Sequence, residues 1–154
     1  ISNLVSSSGV VATDTTGVGT ARYQLASASY GTDKAIFGYG HAAAVVSISN
    51  LVNSSGVVAA DVTGVGTARH QLASAGYGGD KAIFGYGLTS TYVSLTNLVN
   101  NSGVVATDVT GVGTARRGLA AANYGTDKAI FGYGYNGSNV SMSKIPTSSS
   151  WLWW

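Results

Sequence analysis

Hydrophobic and polar residues alternate along this chain in short segments, a pattern typical of half-buried β-strands. Residues 46–52 read Val-Ser-Ile-Ser-Asn-Leu-Val, and further short apolar segments follow at 57–60, 71–75 and 81–87. Turns containing glycine separate these segments, and a glycine inside a helix costs about 1 kcal/mol. The pattern therefore predicts four short strands and disfavours helix.

This four-strand pattern occurs three times. Residues 1–47, 48–94 and 95–141 align without a gap, and the first two repeats agree at 36 of 47 positions. A four-stranded unit of this length has the size of a propeller blade, whereas solenoid repeats are usually only about 20 to 30 residues long. We therefore expect an all-β fold of three four-stranded blades of a β-propeller. The module should span 1–145, with a further copy of the first strand at 139–145, followed by a separate tail at 146–154.

The order of residues within a unit resembles the kelch repeat. Starting from Arg69, a small-residue strand leads to Ile83-Phe84 and Gly85-Tyr86-Gly87, then to two further strands before the next arginine, Arg116. Kelch repeats have adjacent glycines where this chain has Gly-Tyr-Gly, and they carry a tryptophan that is missing here. The units are also similar to tandem repeats in tail-associated proteins of bacterial viruses and in bacterial surface proteins. The first likeness implies a β-propeller fold, and the second implies a place in a viral tail or a surface assembly.

Three blades are fewer than the roughly four to eight of a closed propeller. We therefore expect another chain, as in a homo-oligomer, or further sequence of a longer chain to complete the ring. The strand predicted at each end of the module would be an edge open to pairing.

The charged residues recur at fixed repeat positions, which argues against an enzyme. The first repeat has Asp14, Arg22, Asp33 and Lys34, the other two repeats carry the same four types, and only Arg117 and Lys144 fall outside this pattern. Catalysis needs a unique constellation with unequal environments. We expect no catalytic residues and a structural Asp–Arg ion pair between neighbouring blades, with repeated acidic ligand or Ca²⁺ sites as the alternative.

Composition limits the possible partners. The chain has no cysteine, a formal net charge of +2 and only 9% charged residues. We expect no cofactor, no structural metal site and no nucleic-acid partner. Because no apolar run approaches about 18 residues, we also expect no membrane span.

Differences between the repeats concentrate in two places, the loop after Gly-Tyr-Gly and the two residues after the repeated arginine. Loops on a rigid scaffold often carry binding residues. The candidate binding residues in or next to these places are Tyr23, His41, His70, Leu88, Tyr92, Arg117, Tyr135, Asn136 and Asn139. Neutral variation of exposed loops is the alternative explanation.

Two groups of aromatic residues have different expected roles. The repeated Tyr30, Phe37 and Tyr39 should pack between blades. The tail contains all three tryptophans, Trp151, Trp153 and Trp154, which we expect to dock on this module or on a partner.

These observations favour a non-enzymatic recognition module of a viral tail or an extracellular surface assembly. Its ligand would be a glycan or a surface receptor, bound through the variable loops. One alternative is a purely structural scaffold of a larger particle. The other is a hydrolase on a propeller, which would require a unique carboxylate pair.

Overall fold

A computed structural model describes residues 1–141 of the chain, and predictions on 142–154, the tryptophans among them, lie outside the described residues. The regular elements in the described part are strands, and none of its residues forms a helix long and apolar enough to span a membrane. The eight strands are Ala26–Tyr30 (β1), Lys34–Gly38 (β2), Ser49–Val52 (β3), Ala73–Tyr77 (β4), Lys81–Gly85 (β5), Thr96–Val99 (β6), Ala120–Tyr124 (β7) and Lys128–Gly132 (β8). The expected all-β class is confirmed for the described part of the chain.

The strands form three small antiparallel sheets in which chain neighbours pair. Their orders are β1-β2-β3, β4-β5-β6 and β7-β8. A fourth segment extends the first sheet through isolated bridges from Val52 to Val58 and from Ser49 to Val62, and the second sheet has the same extension at 105–109. Each of these two sheets is thus a four-segment meander.

The sheets are offset from the sequence repeats. The first sheet takes β1 and β2 from repeat 1–47 and β3 from repeat 48–94. The first two sheets therefore each join two consecutive repeats through backbone pairing, whereas β7 and β8 both belong to the last repeat. A repeat unit counted from the repeated arginine therefore coincides with one sheet, whereas a unit counted from Ile1 does not.

The strand boundaries differ from the sequence prediction for a local reason. The strand predicted at 71–75 is observed at Ala73–Tyr77, and the one predicted at 81–87 ends at Gly85. Gln71 and Tyr86 have φ angles of 53° and 62°, in the left-handed region, which no extended strand can contain. The segment predicted at 57–60 contributes only one isolated bridge, at Val58, and the next bridge follows beyond it at Val62.

Small residues and aromatic rings pack the sheets against one another. β1 lies against β4, and β4 lies against β7, through strands rich in alanine and serine. Phe84 is fully buried, and its ring centroid lies 5.2 Å from that of Tyr39 in the preceding repeat. A Cβ on Gly38 would come within 2.7 Å of the Phe84 ring, so only glycine permits this approach. The expectation that repeated aromatics pack between repeats is confirmed for this pair.

A buried polar network, here called the arginine network, joins consecutive repeats. Arg69 is fully buried and donates to the carbonyls of Tyr86 and Thr67 and to Oδ1 of Asn97, at 2.8, 3.1 and 2.7 Å. Asn97 donates in turn to Asp108 at 2.9 Å. Burial lowers the pKa of the Arg69 guanidinium, while Tyr39 and Asp108 act to raise it.

The same network recurs one repeat earlier, with Arg22, Asn50 and Asp61 in the equivalent places. The expected Asp–Arg pair is present as Arg22–Asp61 at 3.8 Å and as Arg69–Asp108 at 4.0 Å. The pair was predicted to lie between neighbouring blades. It does link consecutive repeats, but both partners lie within one sheet, because the sheets are offset from the repeats.

Candidate functional site

The two variable stretches of the repeat lie next to each other in the structure. The residue after each conserved arginine forms a two-hydrogen-bond bridge with the first residue of the loop after Gly-Tyr-Gly, with N–O distances of 2.8 to 3.0 Å. The three bridges are Tyr23–His41, His70–Leu88 and Arg117–Tyr135. Positions that differ most between repeats are therefore gathered at one end of each β-hairpin.

Backbone hydrogen bonds stack these three bridges into one column. Gln71 N donates to Gln24 O at 2.9 Å, and Gly118 N donates to Gln71 O at 2.8 Å. Gln24, Gln71 and Gly118 all have φ between 53° and 60°, a conformation costing a non-glycine residue about 1 kcal/mol or more. Inter-repeat bonds compensate for this strain, so the column holds its side chains in fixed positions.

The first part of the site contains two histidines. The Tyr23 and His41 ring centroids lie 5.3 Å apart, and those of His41 and His70 lie 5.4 Å apart. His70 Nδ1 lies 2.6 Å from Oε1 of Gln24, which requires a proton on that nitrogen. The two imidazoles are therefore held together without an intervening carboxylate.

The second part surrounds Arg117. Its guanidinium lies 5.9 Å from the Tyr92 ring centroid and 5.5 Å from that of Tyr135, and the two rings lie 6.0 Å apart in an edge-to-face arrangement. Arg117 Nη1 donates to Gln71 Oε1 at 2.7 Å, repeating the His70–Gln24 contact one repeat later. An open pocket of about 370 Å³ adjoins it, lined by Leu88, Ser90, Thr91, Tyr92 and Arg117. We call Tyr23, His41, His70, Tyr92, Arg117 and Tyr135 the variable-loop cluster.

The remaining predicted residues have smaller parts. Leu88 lines the Arg117 pocket and bridges to Tyr92, and Asn139 bridges to Tyr135. Asn136 accepts a hydrogen bond from the backbone of Ser138 and shapes its own loop. Gln24 and Gln71 were not predicted, although they follow the variable position directly and are replaced by Gly118 only in the last repeat.

The variable-loop cluster contains one permanent cation, the Arg117 guanidinium. No carboxylate in the described part of the chain forms an ion pair with Arg117, whereas the acids Asp61 and Asp108 are occupied by the arginine network. Burial, together with the neighbouring side chains of His41 and Arg117, lowers the pKa of His70 and so favours its neutral form. An anion placed here would meet the Arg117 guanidinium, which forms no ion pair with a carboxylate of the described residues.

The lowered pKa of His70 predicts a pH-dependent stability. The folded protein binds this proton less readily than the unfolded chain, whose histidines titrate near 6.5, so the free energy of unfolding should fall as the pH drops below about 6.5. Urea unfolding at pH 7.5 and 5.5 should show this loss in the native sequence. His70→Tyr, which installs the residue of the first repeat, should reduce the loss; an unchanged difference between the two pH values would contradict the assignment.

The described residues contain no group of three or more histidine, aspartate or glutamate side chains that could hold a metal ion. The acids that recur in every repeat lie in two settings. Asp80 and Asp127 bind the adjacent lysine at hairpin turns, and Asp61 and Asp108 accept hydrogen bonds from Thr20 and Thr67. The repeated aspartates thus bind side chains at the hairpin turns and between consecutive repeats.

No protein-family model matches the chain, and no curated protein matches it. Function must therefore be argued from the chemistry of the variable-loop cluster. Its aromatic faces and its arginine are groups that can contact cations, sugar rings and anions.

Proposed function

We propose that this protein is a non-enzymatic recognition module that binds an acidic glycan through the variable-loop cluster. The observation that carries the proposal is the Arg117 guanidinium, which lies beside the Tyr92 and Tyr135 rings, 5.9 and 5.5 Å from their centroids, at the edge of an open pocket. A guanidinium pairs with a carboxylate or sulfate through parallel hydrogen bonds, and an aromatic ring offers a face to a sugar ring.

The site is well suited to bind rather than to transform. Most glycoside hydrolases use two carboxylates about 5 to 9.5 Å apart, placed in unequal environments. The carboxylates with side-chain partners in the described part belong to the hairpin turns or to Asn–Asp pairs such as those of the arginine network. The absence of catalytic residues is part of the proposal.

We further propose that the sheets are blades of a propeller. Supporting this, the first two sheets are antiparallel meanders of four segments, and successive sheets lie face to face. The resemblance to kelch repeats points the same way. In this arrangement the variable-loop cluster would occupy one rim of the propeller.

The likeness of the repeats to those of viral tail and bacterial surface proteins supports a place on a virion or outside the cell. A structural scaffold is the second candidate function. It is favoured by the extensive bonding between repeats, including the Gln24–Gln71 backbone bond and the arginine network. A scaffold would use its end surfaces and would not need the variable-loop cluster.

Binding to an immobilised panel of carboxylated, sulfated and neutral oligosaccharides tests the proposed function. We expect acidic members to bind and neutral members of the same size to bind more weakly. Arg117→Gln should weaken acidic binding roughly tenfold to hundredfold, because a hydrogen bond to a charged group contributes about 1.5 to 3 kcal/mol.

The matched control is Lys128→Gln, which removes an exposed cation at the other end of the hairpin, where its contact is with Asp127. It should leave binding unchanged. Tyr92→Ala should weaken binding to both acidic and neutral sugars, since it removes a stacking face. Equal loss with Lys128→Gln and Arg117→Gln would indicate nonspecific charge attraction, and a folded protein that binds no acidic sugar would favour the scaffold.

A further inference from the structure

The first fifteen residues form a hairpin whose two counterparts are fully partnered. Bridges Ser2–Thr15 and Val5–Val11 define this first hairpin, and the equivalent hairpins at 49–62 and 96–109 lie beside β2 and β5. Among the described residues, no strand lies beside the first hairpin. In the two later hairpins, the strand that covers the equivalent surface is β2 or β5 of the preceding repeat.

The polar side of the first hairpin has the same Asn–Asp arrangement that binds an arginine and a threonine in the two later hairpins. Asn3 donates to Asp14 at 2.8 Å and to the Ala12 carbonyl at 3.0 Å, repeating the contacts of Asn50 and Asn97. In both counterparts an arginine and a threonine of the preceding repeat complete the arginine network. Within the described residues, Asn3 and Asp14 receive neither.

The apolar side shows the same difference. Val5 is 63% exposed, whereas its counterpart Val99 is fully buried. Val11 is also exposed, while Val105 packs against the core. The equivalent valines of the second hairpin, Val52 and Val58, are half-buried, so the first hairpin carries apolar surface that is at least partly covered in both later hairpins.

The complementary surface lies at the other end of the described chain. Thr114 and Arg116 are the copies of the network donors, and among residues 1–141 Arg116 Nη2 donates only to the Phe131 carbonyl, at 3.4 Å. Tyr133 is 57% exposed, whereas its copy Tyr39 is buried beneath Arg69 and Phe84 of the next repeat. This end therefore carries the arginine, threonine and tyrosine whose copies contact the two later hairpins.

We propose that two copies of this chain associate head to tail, with the first hairpin of one copy paired to β8 of the other. The register would continue that of β2 with β3, and of β5 with β6. It would place Val5 opposite Ala129 and Asn3 opposite Phe131. Arg116 would then donate to Asn3, Thr114 to Asp14, and Tyr133 would be covered by Arg22 and Phe37 of the docked copy.

The chain's own tail is a poorer sequence match for this position. Where Asn50 and Val52 occur in the repeat, the tail has Lys144 and Pro146. Lysine offers no acceptor to Arg116, and proline has no backbone N–H. A second copy supplies Asn3, Val5 and Asp14 at these positions, so it is the occupant that restores the network.

Such a contact joins two different surfaces, so its repetition gives a ring or an open filament. It does not depend on glycan binding, because the first hairpin and β8 edge contain no residue of the variable-loop cluster. Failure of one proposal therefore leaves the other standing.

Disulfide trapping tests the proposed register, since the chain has no cysteine of its own. Chains carrying Val5→Cys and chains carrying Ala129→Cys should cross-link when mixed, because paired strand positions have the Cα separation that a disulfide needs. Neither variant should cross-link alone. A mixture of Val5→Cys with Lys128→Cys is the control, because a shift of one residue points the side chain to the opposite face; we expect it to react at least about tenfold more slowly.

Solution mass gives the second measurement. Light scattering of the native chain should give an average mass above 15.5 kDa, and this mass should increase with protein concentration. Asp14→Arg should raise the dissociation constant at least about tenfold, while Asp80→Asn, a charge loss in the middle of the chain, should leave it unchanged.

Three results would overturn the proposal, provided the variants keep the native circular dichroism spectrum. In a chain with both Val5→Cys and Ala129→Cys, an exclusively intrachain disulfide would mean that the two ends meet within one copy. No preferential cross-link would mean that another segment, such as 142–146, covers β8. A mass of 15.5 kDa at all concentrations would exclude self-association.

Discussion

Replacing Arg69 with methionine is expected to lower the free energy of unfolding by about 3 kcal/mol. The Arg69 side chain is fully buried, and its guanidinium lies 4.3 Å from the Tyr39 ring centroid while donating to two carbonyls and to Asn97. Methionine preserves much of the packing of the stem but leaves these acceptors without donors, and an unsatisfied buried polar group costs about 1 to 3 kcal/mol. Urea unfolding followed by circular dichroism measures the change.

The chain provides a matched control in the last repeat. Arg116 makes the corresponding bonds to the Tyr133 and Thr114 carbonyls but is only half-buried. Arg116→Met should therefore cost no more than about 1 kcal/mol when both variants are compared at one low protein concentration. A larger loss for Arg116→Met than for Arg69→Met would contradict the role assigned to burial.

Phe84→Ala should cost about 3 to 4 kcal/mol, because it removes a fully buried ring from the contact between consecutive repeats. Its copy Phe37 is 38% exposed, so Phe37→Ala should cost clearly less, about 1 kcal/mol. Denaturant unfolding of the two variants compares the same substitution at equivalent repeat positions. Equal losses would show that contact with the preceding repeat contributes little.

The glycine opposite this ring allows a sharper test. Gly38→Ala alone should destabilise, because the new methyl group would lie within 2.7 Å of the Phe84 ring. In the Phe84→Ala background, the same methyl group would enter vacated space and should recover part of the lost stability. This reversal of sign in a double-mutant cycle would establish the contact, whereas additive losses would argue against it.

Much of the fold could be predicted because repetition and alternation are properties of the sequence itself. The three repeats, the all-β class and the strands around Lys81 and Ala26 follow from glycine spacing and from short apolar segments. The same comparison of copies identified His41, His70, Arg117 and Tyr135 as variable positions. Their partners Gln24 and Gln71 were missed, since a residue identical in two repeats gives no sign that its side chain bonds across them.

The exact strand ends could not be predicted from the same signals. Gln71 and Tyr86 end their strands by adopting positive φ, a conformation that their residue types disfavour. It is sustained by tertiary bonds such as that from Gln71 N to Gln24 O. Propensity therefore favours a longer strand, and the neighbouring repeat overrides it.

By itself, then, the sequence determined the composition of the unit, its period and the positions free to vary. Only the tertiary structure decided that the first two sheets each combine two consecutive repeats, so that Arg69 reaches Asn97 and Asp108 within one sheet. Only the tertiary structure brought Arg117 next to both Tyr92 and Tyr135, residues from different repeats. The physical reason is that these side-chain contacts join residues roughly 18 to 39 positions apart, a separation far beyond the period of two on which strand patterning rests.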